Sequence, residues 1–462
     1  MAFETRRLLN SYFLILNFSF LLVACRADQG GRRLQPADLP AEGPITIALT
    51  GDTSFSTLER ASSNALDLVR GATVGFTNLE VNLLDGVAAR AAAARPAPRW
   101  IFAAGDQSSR VRDLGFDVVS LANNHSMDFG ADGLTSTLRT LDAAGIAHAG
   151  AGLDLGAARA AALVGRGARR VAVVAVTASA SDQARASASQ SDIQGRPGVS
   201  SLLYDAAITV DAATYRTLAQ SVQSLQAGPP PGDRELTMFG RRITRGEATR
   251  VDFTLRAAEE ETVLAVIRDA RRQAEFVIMS IHSHEPSNES DEPAEFLRQF
   301  AHDAVDAGAQ LIVGHGPHRM RGMEIYKRVP IFYSLGNFLY QTNGLDFRAA
   351  DQFDAGSNLY TAALGGSADA ASPFAQLDRD WWWESALVLA TLQGGKLSEV
   401  KVYPITLKGA GQPDHKGLPQ LATGVEADTI LRQFSALSER LGASVGEGAS
   451  RGVLDVPISE NR

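Results

Sequence analysis

Asn123, Asn124 and His125 stand together between two runs of different character. The run before them, Phe116-Asp-Val-Val-Ser-Leu-Ala122, is short, apolar and β-branched, the pattern of a buried strand. The run after them carries Leu134, Leu138 and Leu141 at helical spacing and stops at Gly145, a glycine C′ cap. The amides and the imidazole therefore fall where a strand ends and a helix is about to begin. Open α/β sheets bind ligands at such points. An amide oxygen beside an imidazole suits a hard or borderline metal ion, or an oxyanion. A plain Asn-rich turn, with Asp128 capping the helix, accounts for the same residues.

The arrangement recurs along the chain. Asp52 follows the strand-like run 45–50, and Glu80 ends the run 73–80. His282 and His284 follow the run 276–281, and His315 and His318 follow the run 311–313. With Asn124 and His125, eight potential ligands fall at the ends of five predicted strands, and five of the chain's eight histidines are among them. Each has an ordinary explanation by itself: Asp52 as a helix cap, Glu80 as a rim charge, His315 and His318 as turn residues. All of these explanations holding at five strand ends is the weaker account, because strands of one sheet bring such ends to one edge. Two carboxylates, an amide oxygen and several imidazoles suit one or two divalent ions such as Mn, Zn or Fe. Two ions roughly 3.5–4 Å apart can clamp both oxygens of an in-line displacement and activate a bridging water. His148, His302 and His415 read as structural.

Other elements must position these ends. Helices are expected over residues 57–70, 107–114, 255–274 and 426–441, and from Pro293 at the first helical position to Ala307, with Gly308 past its end. Residues 170–176 and 331–334 read as strands, the second running into Leu335-Gly-Asn337, and 386–392 with 397–403 as a hairpin about Gly394-Gly395. Residues 179–250 are too long for an ordinary connection and read as an insertion over or beside the site. Its Arg241, Arg242, Arg245 and Arg250 are either a polyanion-binding cluster or a solvated surface. Residues 85–99 read as a surface excursion and 343–380 as rim loops, and there is no internal repeat.

A chain of 462 residues with ordinary apolar content can bury a full core. Its formal net charge of −8 argues against nucleic acid as a partner. Arg6 and Arg7 precede an apolar run over 8–24, the form of a secretory signal, here residues 1–24. No later run is long enough to span a bilayer. The signal ends Leu22-Val-Ala-Cys25, which resembles a bacterial lipobox, in which the Cys is acylated; Cys25 is the only cysteine. Residues 25–43 would then tether the domain to the membrane. The alternative is an accidental Cys at the end of a signal or membrane anchor.

Gly51-Asp52, Asn78-Leu-Glu80, Ala122-Asn-Asn-His-Ser-Met-Asp-Phe-Gly130, Gly314-His-Gly-Pro-His318 and Ile331-Phe-Tyr-Ser-Leu-Gly-Asn-Phe338 resemble the bacterial CapA proteins of poly-γ-glutamate capsule synthesis, over about residues 44–410. That family is similar to the calcineurin-type metallophosphoesterases. The resemblance implies an α/β fold: a four-layer β-sandwich flanked by helices over 44–410, with the 179–250 insertion, and a C-terminal helix and tail, 411–462, packing on the same domain. It also implies roles. Asp52 would be the first aspartate ligand, with Ser54 where a histidine is usual, and Glu80 would bridge. Asn124, His282, His315 and His318 would be further ligands. His125 would protonate the leaving group, oriented by Asp128. The family's usual His-Trp-Gly is His282-Ser-His284-Glu285 here, which leaves both His282 and His284 open as the ligand. Asn123, Glu285 and Asn337 belong to the same blocks and count with the site.

The function implied is that of an exported, lipid-anchored protein of the cell envelope, in synthesis or export of an anionic polymer. It would act by metal-dependent hydrolysis or transfer at a phosphate, ester or amide centre. A non-catalytic alternative keeps the same residues as a grip on polymer carboxylates, in partnership with a membrane polymer synthase or exporter. A general phosphodiesterase with no capsule role is a third reading, because fold does not fix function.

Overall fold

In a computed structural model of the chain, strand Ile45–Phe55 lies inside a nine-stranded sheet and changes partners halfway along its length. The structure describes residues 39–40, 42–58, 62–85, 101–166, 169–341, 379–409, 415–445 and 452–457. The chain divides into Met1–Arg33 and a compact unit, Leu34–Arg462, to which every described residue belongs. The expected signal segment, Cys25, most of the expected tether, all of the 85–99 excursion but Asp85, and nearly all of the 343–380 loops lie outside the described residues.

The nine-stranded sheet runs Gln420–Leu421, Lys396–Thr406, Glu384–Gln393, Ile45–Phe55, Val74–Leu79, Val118–Ser120, Ala147–Ala149. Asn337–Gln341 pairs with Ile45–Phe55, and Leu454–Asp455 with Lys396–Thr406. A six-stranded sheet runs Met320–Tyr326, Val329–Leu335, Leu311–His315, Phe276–His282, Arg169–Thr177, Ala162–Arg166. Its central four strands are parallel. Such strands are covered on both faces, so they show as unbroken apolar runs in the sequence.

The two large sheets share one apolar cluster, in which Ile47, Leu49 and Phe76 of one meet Val171, Ile278 and Val313 of the other. Helix Gly424–Arg440 adds Ile430, Leu431, Phe434 and Leu437 to this cluster. On its other face the nine-stranded sheet carries helices Asn64–Gly71, Gln107–Asp113 and Gly130–Ala144, through Leu66, Val111 and Leu134. The six-stranded sheet carries Ala257–Gln273 and Glu295–Ala307 through Ile267, Phe296 and Phe300. The fold is thus mixed α/β with several sheets.

Three local expectations change. The 57–70 helix starts at Asn64, because Ser63 caps it by accepting from the Leu66 N–H at 3.2 Å. Pro293 precedes the N-cap residue Ala294 and is not the first helical residue. Strand Met320–Tyr326 escaped the sequence reading because Arg321 and Glu324, both buried, interrupt its apolar pattern. By contrast, Gly145 ends its helix at φ 69°, the left-handed cap its position calls for.

The inserted stretch builds a small sheet of its own, Glu235–Met238, Arg241–Arg245, Tyr204–Val210, Arg250–Leu255, and so runs a few residues past 250. Helix Ala212–Leu225 packs on it through Tyr215 and Val222, against Val210, Leu236 and Ile243.

The change of partners along Ile45–Phe55 sets the site. Residues Ile45 to Leu49 pair antiparallel with Glu384–Gln393; from Asp52 onward the strand pairs parallel with Asn337–Gln341, with an irregularity at Asp52/Thr53. The Asp52 N–H donates to the Gly336 carbonyl at 2.9 Å. A Cβ on Gly51 would stand 1.8 Å from that carbonyl oxygen, so only glycine permits the approach. Gly51→Ala should therefore destabilise the protein by about 1–3 kcal/mol or more, the overpacking range. Urea unfolding would measure it, and an unchanged midpoint would show that the two backbones can separate at no cost.

Candidate metal centre

Strands Val74–Leu79 and Phe276–His282, one from each large sheet, end beside each other. Asn78 Nδ2 lies 3.2 Å from His282 Nδ1, and Glu80 Oε1 lies 3.8 Å from His282 Nε2. Asp52, Asn78, Glu80 and His282 are all wholly buried.

Amide groups orient this meeting point. Asn123 Nδ2 donates to the Leu79 carbonyl at 2.9 Å and to Asn78 Oδ1 at 3.3 Å. Asn123 Oδ1 accepts from the His125 N–H at 3.1 Å and from the Ser126 hydroxyl at 2.9 Å. Backbone groups of fixed sense at both ends leave this amide one orientation. The Asn78 amide follows: its NH₂ donates to Asp52 Oδ1 at 2.8 Å and faces His282 Nδ1. The His282 ring proton then sits on Nε2, 2.9 Å from Asn124 Oδ1.

Asp52 Oδ2 accepts from the Gly316 N–H at 3.1 Å and lies 3.5 Å from His318 Nδ1. Burial raises the Asp52 pKa to about 7 against the pull of its bonds from Asn78 and Gly316. His318, at φ 58°, has Nδ1 2.9 Å from Asn337 Oδ1. The Asn337 NH₂ is spoken for by the Trp382 carbonyl at 3.0 Å, so its oxygen receives the His318 Nδ1 proton and Nε2 keeps its lone pair. His284 is set in the same way, with Nδ1 2.7 Å from Asn288 Oδ1. Burial lowers its pKa to about 4, while the Asn288 bond and Glu285 pull the other way. Ligand atoms of Glu80, His284 and His318 all lie within 4.8 Å of one another. Ser54 donates to Glu80 Oε2 at 3.4 Å.

His125 is half-buried on the loop before Gly130–Ala144, its Nδ1 2.7 Å from Asp128 Oδ2. The same oxygen accepts from the Ile101 N–H at 3.0 Å. Asp128 is therefore not a helix cap: Phe129 holds that position and no side chain caps this helix. Burial lowers the His282 pKa most, followed by the charges of His284, His315, His318 and His125; His125 also acts on His284, behind burial.

Two expected site residues, His315 and Glu285, border this group: the charge of His315 acts on His282 and that of Glu285 on His284, behind burial in each case. His315 pairs in register with His282, but its ring lies 5.8 Å from the Phe76 ring and neither nitrogen has a hydrogen-bond partner among the described residues. Burial drops its pKa to about 3, while the Ile281 backbone pulls the other way. Glu285 accepts from Tyr204 at 2.6 Å, Ser179 at 2.8 Å and Ser283 at 2.5 Å, and so ties the site to the insertion. Burial acts to raise the Glu285 pKa, but these bonds outweigh it and leave the group below its usual value.

Beside Glu285 a cavity of about 760 Å³ is lined by Ser179, Arg185, Tyr204, Arg241, Arg256 and His284, among others. Of the four insertion arginines, Arg241 lines this cavity. Arg242 pairs with Glu235 at 3.7 Å and Arg250 with Asp252 at 2.8 Å. Sequence reasoning passed over Asn78, Asn288 and Trp382, whose ring lies 4.6 Å from that of His318. The available signal for Trp382 was the Trp381–Trp383 run, which holds three of the chain's four tryptophans.

A family model described as "Bacterial capsule synthesis protein PGA_cap" matches residues 38–342. The chain is 32% identical over 398 residues to the uncharacterized protein y4sH of Sinorhizobium fredii, covering 83% of this chain and 86% of that one. It is 31% identical to a probable polyglutamine synthesis accessory protein of Mycobacterium tuberculosis, over 49% of this chain and 46% of that protein. It is 26% identical to the PGA biosynthesis protein CapA of Bacillus subtilis, over 50% of this chain and 44% of that protein. The matches to these last two relatives span less than half of their lengths.

The Asn123 amide should be costly to lose. Asn123→Ala leaves the Leu79 carbonyl and the His125 N–H without their partner, and each buried group so orphaned costs about 1–3 kcal/mol. A thermal or urea midpoint equal to that of the unaltered protein would mean that water replaces the amide freely.

Proposed function

Because the chain belongs to the bacterial capsule synthesis protein family, we propose that it acts in making or exporting an anionic polymer of the poly-γ-glutamate type, through a divalent-metal site of hydrolase character. The observation that carries this reading is the convergence of oxygen and imidazole donors from separate segments around His282 Nε2: Asn124 Oδ1 at 2.9 Å, His284 Nε2 at 3.2 Å and Glu80 Oε1 at 3.8 Å. The donor set suits Mn, Zn or Fe. Burial keeps the His282, His284 and His315 imidazoles neutral. Asp52 is a buried carboxylate whose only ion-pair partners among the described residues are imidazoles, so a cation beside it would favour its ionised form.

In this reading Asp52, Glu80, Asn124, His282, His315 and His318 hold one or two ions. A bound ion supplies Lewis-acid polarisation and an activated water. Ligation through His282 Nε2 would move that ring's proton to Nδ1, so the Asn78 NH₂ would keep its bond to Asp52 Oδ1 at 2.8 Å and give up the one it makes to Nδ1 at 3.2 Å. Asp128 takes the Nδ1 side of His125, which leaves the other ring nitrogen to deliver a proton to a leaving-group oxygen. The cavity bordered by Arg241, Tyr204 and His284 gives an extended anionic chain room beside these groups.

We extend the proposal to the architecture and the cell envelope. The shared core of two sheets, with helices on each outer face, supports a metallophosphoesterase-like four-layer sandwich. No helix among the described residues is long and apolar enough to cross a membrane. Attachment is assigned to acylation at Cys25. One observation favours the non-catalytic alternative: Ser54 holds Glu80 where the family resemblance implies another imidazole, which thins the ligand set.

The test is metal content together with turnover. Protein reconstituted with Mn should keep about one or two ions per chain by elemental analysis. His125→Ala should keep its metal but lose about 10²–10⁴-fold in hydrolysis of a reporter phosphodiester. Metal-free protein after reconstitution would end the hydrolase reading, and polymer binding without turnover would favour the alternative. For the anchor, Cys25→Ser should move the protein from the membrane to the soluble fraction; continued sedimentation with membranes would remove the lipid.

A further inference from the structure

We propose that the cavity beside Glu285 is a carboxylate-recognition subsite, in which Arg241 and Arg185 hold a carboxylate of the substrate next to the unit that reaches the metal centre. The proposal rests on the reading above that the substrate is an anionic polymer. His284 links the two places: it lines the cavity of about 760 Å³, and it is one of the three residues whose ligand atoms lie within 4.8 Å of one another. A polymer whose reacting bond lies at that cluster can place its neighbouring unit in the cavity.

The inserted sheet gathers cationic groups at one end. The parallel pairing of Ile208 with Ile243 brings Arg241 alongside Ala206, and the antiparallel pairing of Tyr204 with Leu255 puts Arg256 at the next position. Tyr204, Ala206, Arg241 and Arg256 all line the cavity. Tyr204 joins this end of the sheet to the metal centre by donating to Glu285 Oε1 at 2.6 Å. Burial and Glu285 push the Tyr204 pKa up, and the charges of Arg185 and Arg241 pull it down, so both guanidinium groups lie near the phenol.

The lining has one cation to spare. Three guanidinium groups face the carboxylates of Asp205 and Glu285, an excess of one positive charge. Asp205 takes Arg256, with Nη2 2.7 Å from Oδ1, and Glu285 accepts from three hydroxyls. Asp182 holds Arg185 Nη1 at 2.8 Å, but Arg185 Nε is buried with no hydrogen-bond partner among the described residues. Arg241 is exposed and, unlike Arg242 and Arg250, has no acid partner among the described residues. A buried N–H without an acceptor is unfavourable, and a guanidinium edge offers parallel N–H groups to a carboxylate. A single excess charge matches a carboxylate better than a phosphate monoester, which carries about −1.5 to −2.

The experiment uses the full chain reconstituted with Mn and a short, fluorescently labelled poly-γ-glutamate, with affinity read by anisotropy. Arg241→Gln should weaken binding about tenfold, the loss expected of one charge-assisted contact, with Mn content unchanged. Arg241→Lys, which keeps the charge but not the planar fork, should recover part of the loss. Arg242→Gln removes an arginine already paired with Glu235 and should bind as the unaltered protein does. Unchanged binding in Arg241→Gln, or an equal loss in Arg242→Gln, overturns the subsite while leaving the polymer reading standing. Tighter binding of a polyphosphate of similar length overturns the carboxylate assignment. Unaltered protein that binds neither polymer fails the underlying reading, and the subsite falls with it.

Discussion

The rest of the structure depends on keeping two carboxylates, Asp52 and Glu80, out of water where two sheets meet. Burying such groups is unfavourable unless hydrogen bonds or counter-charge offset it. Around Asp52 the offset comes from the Asn78 amide and the Gly316 N–H, and no Lys or Arg is paired with it among the described residues. That is why its pKa sits far above an ordinary aspartate's. A pocket left in that condition is poised for a cation.

Neutral amides hold the surrounding imidazoles. Asn78, Asn288 and Asn337 each face a ring nitrogen, and Asn123 orients Asn78 from behind. An amide can decide which ring nitrogen carries the proton without adding charge to a buried site. Around the site a carboxylate does so at His125, which is half-buried. The two kinds of partner thus set His125 apart from the imidazoles that amides hold.

The insertion joins the site through Glu285 and through the His284 N–H, which donates to Ser179 Oγ at 2.8 Å. Glu285, three bonds deep in hydroxyls, links the loop after Phe276–His282 to Tyr204 at the start of the inserted sheet. Of the arginines that stood out in the sequence, Arg241 lines the cavity beside Glu285, while Arg242 and Arg250 are paired with nearby acids. Sign and spacing along a chain do not show which acids a fold will bring alongside.

The parallel strands, the helix ended by Gly145 and the hairpin about Gly394 were legible in the sequence, because apolar runs and glycine caps act over a few residues. So was the gathering of Asp52, Glu80, Asn124 and the histidines at strand ends. Strands with polar or charged interiors, such as Met320–Tyr326, were not, since their partners for Arg321 and Glu324 come from elsewhere in the chain. Sequence alone determined which residue types reach the site. Tertiary structure decided what each ring meets: His282 and His315 occupy matching register positions, yet amides hold the first and Phe76 lies beside the second. Register places a side chain on a face, but only the opposite sheet supplies what that face touches.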